Sequence, residues 1–207
     1  MNYKIKLTLL YFLINTTVFY AQDRYKSEYP IKILFGTNVI DDSFTSNNVP
    51  FNFKENWNIV AYPSYFGGEL LLNNYFSVGA ALTLNNYKAG KLVDGKYISR
   101  DQSYRAVDVY TKIDLSNINY KLGITPHIVP YLIFGIGTTE INSVSRATYN
   151  YGIGSYLWFK LFTDDCNCGY SIFDNLGIFF QTQGKSSFNN DVYGKQIQHS
   201  LGIVYRF

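Results

Sequence analysis

The chain has 207 residues, with 18 Lys and Arg against 15 Asp and Glu, 47% hydrophobic residues and 16% charged ones. That length suits one domain plus a leader, and that composition excludes extended disorder. The net charge of +3 is too weak for a nucleic-acid surface, while 20 Tyr, 16 Phe and 2 Trp make the aromatic content the outlier.

Residues 1–21 read as a secretory signal peptide. Lys4 and Lys6 supply the positive start, Leu7 to Tyr20 is apolar apart from small polar residues, and Ala21 sits at the cleavage point, although Phe19 stands where a small residue is preferred. The apolar stretch is short for a spanning helix, which needs about 20 apolar residues. Removing Lys4 and Lys6 from the 18 basic residues leaves 16 against 15 acidic ones, so the remainder is nearly neutral and not built to attract polyanions at long range. Residues 22–30 form a short periplasmic segment, and 31–207 form a single domain.

No run after residue 21 is long and apolar enough for a membrane helix. Two-residue alternation recurs instead, in segments of about ten residues separated by Asn, Gly, Asp and Ser, the pattern of an outer-membrane barrel. Strands are predicted at 31–40, 57–69, 75–87, 103–116, 129–140, 147–162, 173–184 and 195–207. In the third, Phe76, Val78, Ala80, Leu82 and Leu84 share one face, and Ser77, Gly79, Ala81, Thr83 and Asn85 the other. In the fourth, Val107, Val109, Ile113 and Leu115 oppose Ala106, Asp108, Tyr110, Lys112 and Asp114. In the fifth, Leu132, Phe134 and Ile136 alternate with Ile133, Gly135 and Gly137, and in the last, Leu201, Ile203, Tyr205 and Phe207 alternate with Ser200, Gly202, Val204 and Arg206.

The fourth segment decides between a soluble sandwich and a barrel. A dry core that held Asp108, Lys112 and Asp114 without partners would lose several kcal/mol for each. A barrel with a polar interior removes that cost. The fold class expected is therefore all-β, an eight-stranded antiparallel transmembrane up-and-down barrel with both ends of the mature chain on one side. Leu72-Asn73-Asn74 is a tight periplasmic turn, with longer ones at 117–128 and 163–172. The polar segments at 41–56, 88–102, 141–146 and 185–194 fall at the outer end. Trp57, Phe76, Tyr131, Tyr149, Trp158, Tyr205 and Phe207 are expected in aromatic girdles at the two interfaces.

The closing run Gln198 to Phe207 resembles the last strand of bacterial outer-membrane barrels. Trp57-Asn58-Ile59-Val60, Tyr62-Pro63-Ser64, Asn74 to Gly79 and Pro130 to Gly137 extend the likeness, which resembles the barrel half of OmpA-type porin-like proteins over most of residues 31–207. The resemblance implies that Leu201, Ile203, Tyr205 and Phe207 form the signal read by the barrel-assembly machinery. Many family members continue into a peptidoglycan-binding domain, but the chain stops at Phe207, so cell-wall anchoring is not carried over.

Chemistry is sparse. Cys166 and Cys168 are two apart and lack a ligand cluster, so two turn cysteines, free or paired, are expected rather than a metal site. His127 lies between Pro126 and Pro130 in an expected turn. His199 and Ser200 invite comparison with eight-stranded lipid-A deacylases, but neighbours in a strand point to opposite faces and cannot share a proton. No catalytic group and no cofactor are expected. Asp108, Lys112, Asp114, Lys160 and Arg206 are the candidate lumen charges, read as an internal plug in preference to a conductive path because eight strands leave little room. The expected role is non-enzymatic, structural in the envelope or as a surface scaffold. The partners expected are outer-membrane lipid, the assembly machinery and a protein at the outer loops, with no nucleic acid. An accessory subunit of a larger outer-membrane complex and a narrow pore are the alternatives.

Overall fold

The computed structural model describes residues 31–42, 53–73, 75–93, 96–116, 128–159, 175–189 and 195–207. The leader, Lys160, Cys166, Cys168 and His127 lie outside them. No helix among the described residues is long and apolar enough to cross a membrane.

The strands are β1 (Ile31–Asp41), β2 (Trp57–Ile59), β3 (Tyr65–Leu71), β4 (Phe76–Tyr87), β5 (Leu92–Val93), β6 (Lys96–Tyr97), β7 (Gln102–Asp114), β8 (Ile128–Ile141), β9 (Val144–Trp158), β10 (Leu176–Ser187) and β11 (Lys195–Arg206), with one helical turn, α1 (Phe53–Asn56). All neighbours are antiparallel, and β1 pairs β11 from Lys32↔Arg206 to Asp41↔Ile197, which closes the sheet into a barrel. Counting β2 and β3 as one interrupted stave gives eight. Closure pairs β1 and β11, the first and last strands, with each other.

The predicted second strand, 57–69, is broken. Between Val39↔Ile59 and Gly36↔Tyr65, five residues (60–64) face only two on β1 (37–38). Pro63 has no N–H to give the ladder, so the chain bulges there. Ser64 stitches the gap: its N–H donates to Gly36 O at 2.9 Å, its carbonyl accepts from Leu84 N at 2.8 Å, and its Oγ accepts from Asn38 N at 2.8 Å.

Two connections show how sequence sets the ends. At one end Asn73 Oδ1 accepts from the amides of Tyr75 (2.8 Å) and Phe76 (2.9 Å), an Asx turn between β3 and β4. At the other, β8 and β9 are joined by Asn142 and Ser143 alone, both with positive φ (49° and 67°), the geometry of a two-residue hairpin. The predicted loop 141–146 shrinks accordingly and β9 starts at Val144. The end holding Asn73 is called the turn end below; the end holding Asp42, α1 and residues 88–93 and 96–101 is the loop end.

The faces follow the alternation. Val109, Ile136, Ile153 and Ile203 point outward and are 52–62% exposed, while Asp108 and Lys112 on the inner face are at most 5% exposed. Outward apolar residues on β1 run from Ile31 to Val39, a band roughly 20 Å tall for strands tilted by about 40°. Trp57, Phe76, Tyr149, Tyr205 and Phe207 keep the outward parity. Tyr131 and Trp158 do not: both are buried inside the barrel, at 1% and 6% exposure, because they share parity with Ile133 and Gly154.

Inward aromatics meet glycines across the ladder. Tyr131 pairs with Gly154 and Tyr110 with Gly79. A Cβ at Gly154 would lie 2.5 Å from the Tyr131 ring, and one at Gly79 would lie 2.7 Å from Tyr110. These glycines therefore let large rings lie flat along a tightly curved wall.

Candidate functional site

The interior carries two buried ion pairs between aromatic layers. Near the turn end, Glu69 on β3 receives Lys112 Nζ from β7 at 2.5 Å on Oε1 and lies 3.7 Å from Lys32 Nζ through Oε2. Tyr110 donates to Oε1 at 3.1 Å and Tyr156 to Oε2 at 2.6 Å. Lys112 also donates to Tyr156 Oη at 2.7 Å and sits 4.1 Å from the centre of the Tyr131 ring. Hydrogen bonds and cation–π contacts thus take the place of the water that both charges lose on burial.

Further toward the loop end, Lys185 Nζ reaches Asp108 Oδ2 at 2.8 Å across the barrel. Amides bridge the remaining rings. Gln181 accepts from Tyr131 at 3.2 Å and donates to Tyr65 at 2.9 Å. Gln196 accepts from Tyr87 at 2.9 Å and donates to Tyr104 at 2.5 Å.

Asp108 and Lys112 therefore both occupy the lumen, with partners absent from the sequence-derived set: Lys185 and Glu69. Lys185 falls in the polar segment 185–194 expected at the outer end, whereas β10 continues to Ser187. Glu69 stood at the last position of its predicted strand, yet it shares parity with Tyr65 and Gly67, opposite Phe66 and Leu70. That parity was the available signal. Asp114 sits at the turn end, where its Oδ1 accepts the Ser116 amide at 2.7 Å. Arg206 lies over Trp158, its guanidinium 4.4 Å from the ring centre, and its Nε donates to Asn175 Oδ1 at 3.4 Å. Leu201, Ile203 and Tyr205 line the outward face of β11, and Phe207, just past its end, packs edge to face on Tyr205 at 4.7 Å.

His199 faces outward and Ser200 inward, where its Oγ accepts from Asn38 Nδ2 at 3.4 Å. His199 Nδ1 is 3.0 Å from Thr182 Oγ1, Nε2 is 3.8 Å from Asp41 Oδ2, and the ring stacks on Trp57 at 5.1 Å. The carboxylate is beyond hydrogen-bond reach of the ring. Among the described residues no group of three His, Cys, Asp or Glu could hold a metal ion.

The loop end is capped by folded chain. Leu92, Val93 and Ile98 are buried, the latter two with Ile40, Tyr87 and Tyr104 at the barrel mouth. Asp101 holds the segment together: Oδ1 accepts the Ala89 amide at 2.8 Å and Oδ2 pairs with Lys88 Nζ at 3.1 Å. The Ala89 amide, and secondarily Lys88, keep the Asp101 carboxyl below the usual carboxylate range. Asn58 joins β2 to this cap, accepting from Lys88 N through Oδ1 at 2.9 Å and from Asn85 Nδ2 through its carbonyl at 3.2 Å.

No family model matches the chain, and no curated protein matches it in sequence. Solved structures do match in fold. The N-terminal β-barrel domain of Pseudomonas aeruginosa OprF superposes with a TM-score of 0.52 at 8% identity, covering 88% of this chain and all of that one. Neisserial surface protein A superposes with a TM-score of 0.50 at 11% identity, covering 87% of this chain and 98% of that one. At such identities the likeness is one of fold: a closed, eight-stranded antiparallel barrel of the outer-membrane type.

Proposed function

We propose that the chain is a non-enzymatic outer-membrane barrel protein with an envelope-structural or surface-scaffold role. Residues 1–21 direct export, 22–30 form a short periplasmic segment, and 31–207 insert as the barrel. The observation that carries the reading is the inverted distribution of polarity. Val109, Ile136 and Ile203 are more than half exposed on the outer wall while Lys112, Lys185 and Glu69 are buried inside. A band of that width belongs against hydrocarbon, since contiguous apolar patches of this extent are rare on soluble monomers.

The plug supports a structural role in preference to a pore. Six tyrosines (Tyr65, Tyr87, Tyr104, Tyr110, Tyr131 and Tyr156) are buried, and Glu69, Lys112, Asp108 and Lys185 are paired within the barrel. In this reading Asp114 and Arg206 at the turn end belong to the same charge system, as does Lys160, which lies outside the described residues. Leu201, Ile203, Tyr205 and Phe207 act as the assembly signal, and the loop-end cap faces outside the cell, where it presents a surface to partners.

Expression of the full chain with its leader, followed by fractionation and a heat-modifiable mobility assay, tests the reading. A folded species in the outer-membrane fraction is expected; full recovery in the soluble periplasm refutes it. Phe207→Ala should slow appearance of the folded form several-fold, and an unchanged rate removes the assembly role.

A further inference from the structure

Among the described residues the wall lacks a backbone ladder at one joint. β2 pairs with β1 alone, from Val39↔Ile59 to Asp41↔Trp57, and stands at the end of the sheet order. Its other neighbour, β4, runs on to Tyr87, past Thr83, the last residue that pairs with β3. Beyond Thr83 no ladder joins β4 to β2. At the same end the other staves are laddered, as at Tyr87↔Gln102, Tyr104↔Ile141 and Ser186↔Lys195. The bulge at 60–64 is the cause: it breaks the stave, and the main-chain bond from Leu84 N to Ser64 O at 2.8 Å lies at its lower edge.

Asparagine side chains close the joint instead. Asn85 Nδ2 on β4 donates to Asn58 O on β2 at 3.2 Å, and also to Asn38 O at 3.0 Å and Asn38 Oδ1 at 3.1 Å on β1. Its Oδ1 accepts from Asn86 N at 2.7 Å, and Asn58 Oδ1 accepts from Lys88 N at 2.9 Å. Asn38, Asn58 and Asn85 are all buried. An amide nitrogen has two N–H bonds, and here three acceptors share them. When both turn to Asn38, the Asn85 amide stays satisfied on β1 while β2 keeps only the Lys88 contact to β4. The two arrangements therefore differ by one shared, bent hydrogen bond.

We propose that the joint between β2 and β4 is a lateral door into the lumen, with Asn85 as its latch and the β1–β2 ladder as its hinge. The routes along the axis are obstructed: Leu92, Val93 and Ile98 cap the mouth, and the paired Glu69, Lys112, Asp108 and Lys185 fill the middle. The door stands where opening is permitted. Unpaired backbone is excluded from hydrocarbon, but Ala61, Tyr62, Pro63 and Lys88 around the joint are exposed near the loop end, where water replaces the bonds given up. Behind it lie uncharged groups, Asn38, Thr83, Gln198 and Ser200, all buried. Gln198 donates to Thr83 Oγ1 at 2.8 Å, and its Oε1 has no hydrogen-bond partner among the described residues. The joint is a property of the fold; only its opening toward lipid rests on residence in the outer membrane.

The test uses the purified full barrel in detergent micelles, with Cys166→Ser and Cys168→Ser throughout and heat-modifiable mobility to confirm folding of every variant. Amide hydrogen exchange reads the door. The Lys88 amide is expected to exchange at least about tenfold faster than the ladder-bonded amides of 105–107 and 138–140. Asn85→Ala should quicken it by about tenfold more. It should leave the amides of Gly90 and Ile98, which are bonded within the cap, unchanged. Ile59→Cys with Asn86→Cys should form a disulfide across the joint that slows Lys88 about tenfold until it is reduced. Entry to the lumen is read at Ser200→Cys, where a small water-soluble thiol reagent should react about tenfold faster once Asn85→Ala is added. Exchange at Lys88 no faster than on the ladders, acceleration of the cap amides in step with it, failure of the disulfide to form or to slow it, or an unchanged thiol rate each overturns the proposal. Fractionation remains a separate test of residence in the outer membrane, so the two failures are told apart.

Discussion

Replacing Lys112 with Met leaves the Glu69 carboxylate inside the barrel without its 2.5 Å partner. Both side chains are at most 2% exposed, so solvent screening gives little relief. Breaking a buried pair by removing one member typically costs about 3–5 kcal/mol. The hydroxyls of Tyr110 and Tyr156 and the more distant Lys32 still face Glu69, which places the expected cost near the lower end, about 3 kcal/mol. That is roughly a hundredfold change in the folding equilibrium. Glu69→Gln alone should also destabilise, because it leaves Lys112 buried beside Lys32. The double variant removes both charges and should return to within about 1 kcal/mol of the parent. Reversible urea unfolding in lipid vesicles, followed by tryptophan fluorescence and gel mobility, measures all four proteins. Single-variant losses under about 0.5 kcal/mol, or losses that simply add in the double variant, refute the account of a dry, mutually compensating pair.

Gly154→Ala places a methyl group 2.5 Å from the Tyr131 ring and should destabilise by about 1–3 kcal/mol in the same assay; Tyr131→Ala in that background should add less than it does alone. Ile136→Arg puts a charge on the outward face and should cost about 2–4 kcal/mol of vesicle insertion if the residue lies at mid-bilayer depth; insertion at the parent level refutes the depth assigned to it. The Asp101 carboxyl is held below its usual range, so its contribution to loop order is full above the ordinary aspartate pKa and fades as pH falls through its lowered value. Protease cleavage within 88–101 should therefore rise in strong acid, and Asp101→Asn should show comparable cleavage at neutral pH.

Parity made much of the barrel legible. Alternation in Phe76–Asn85, Arg105–Leu115, Tyr131–Thr138 and Gln198–Phe207 assigned the faces, because strand side chains alternate regardless of partner. Tyr131 and Trp158 lie inside and not at the expected interfaces, because the parity of their own strands outranks the preference of aromatics for interfaces. Glu69 and Lys185 are hard to read for a related reason: rising polarity marks a strand end in a soluble fold, and in this fold it marks an inner face. The three extra residues at the Pro63 bulge, and the matching of Tyr110 to Gly79 or Lys185 to Asp108, depend on register and shear around a closed sheet. Neither is encoded in any one segment.

The ring-on-glycine contacts join neighbouring staves, so each can form as soon as one hairpin lies beside the next. The links from Lys185 to Asp108, Gln181 to Tyr65 and Gln198 to Thr83 join staves that never touch along the wall. They depend on the curvature that brings opposite walls of the barrel within reach. The contents of the barrel thus tie together walls that the sheet's own ladder leaves apart.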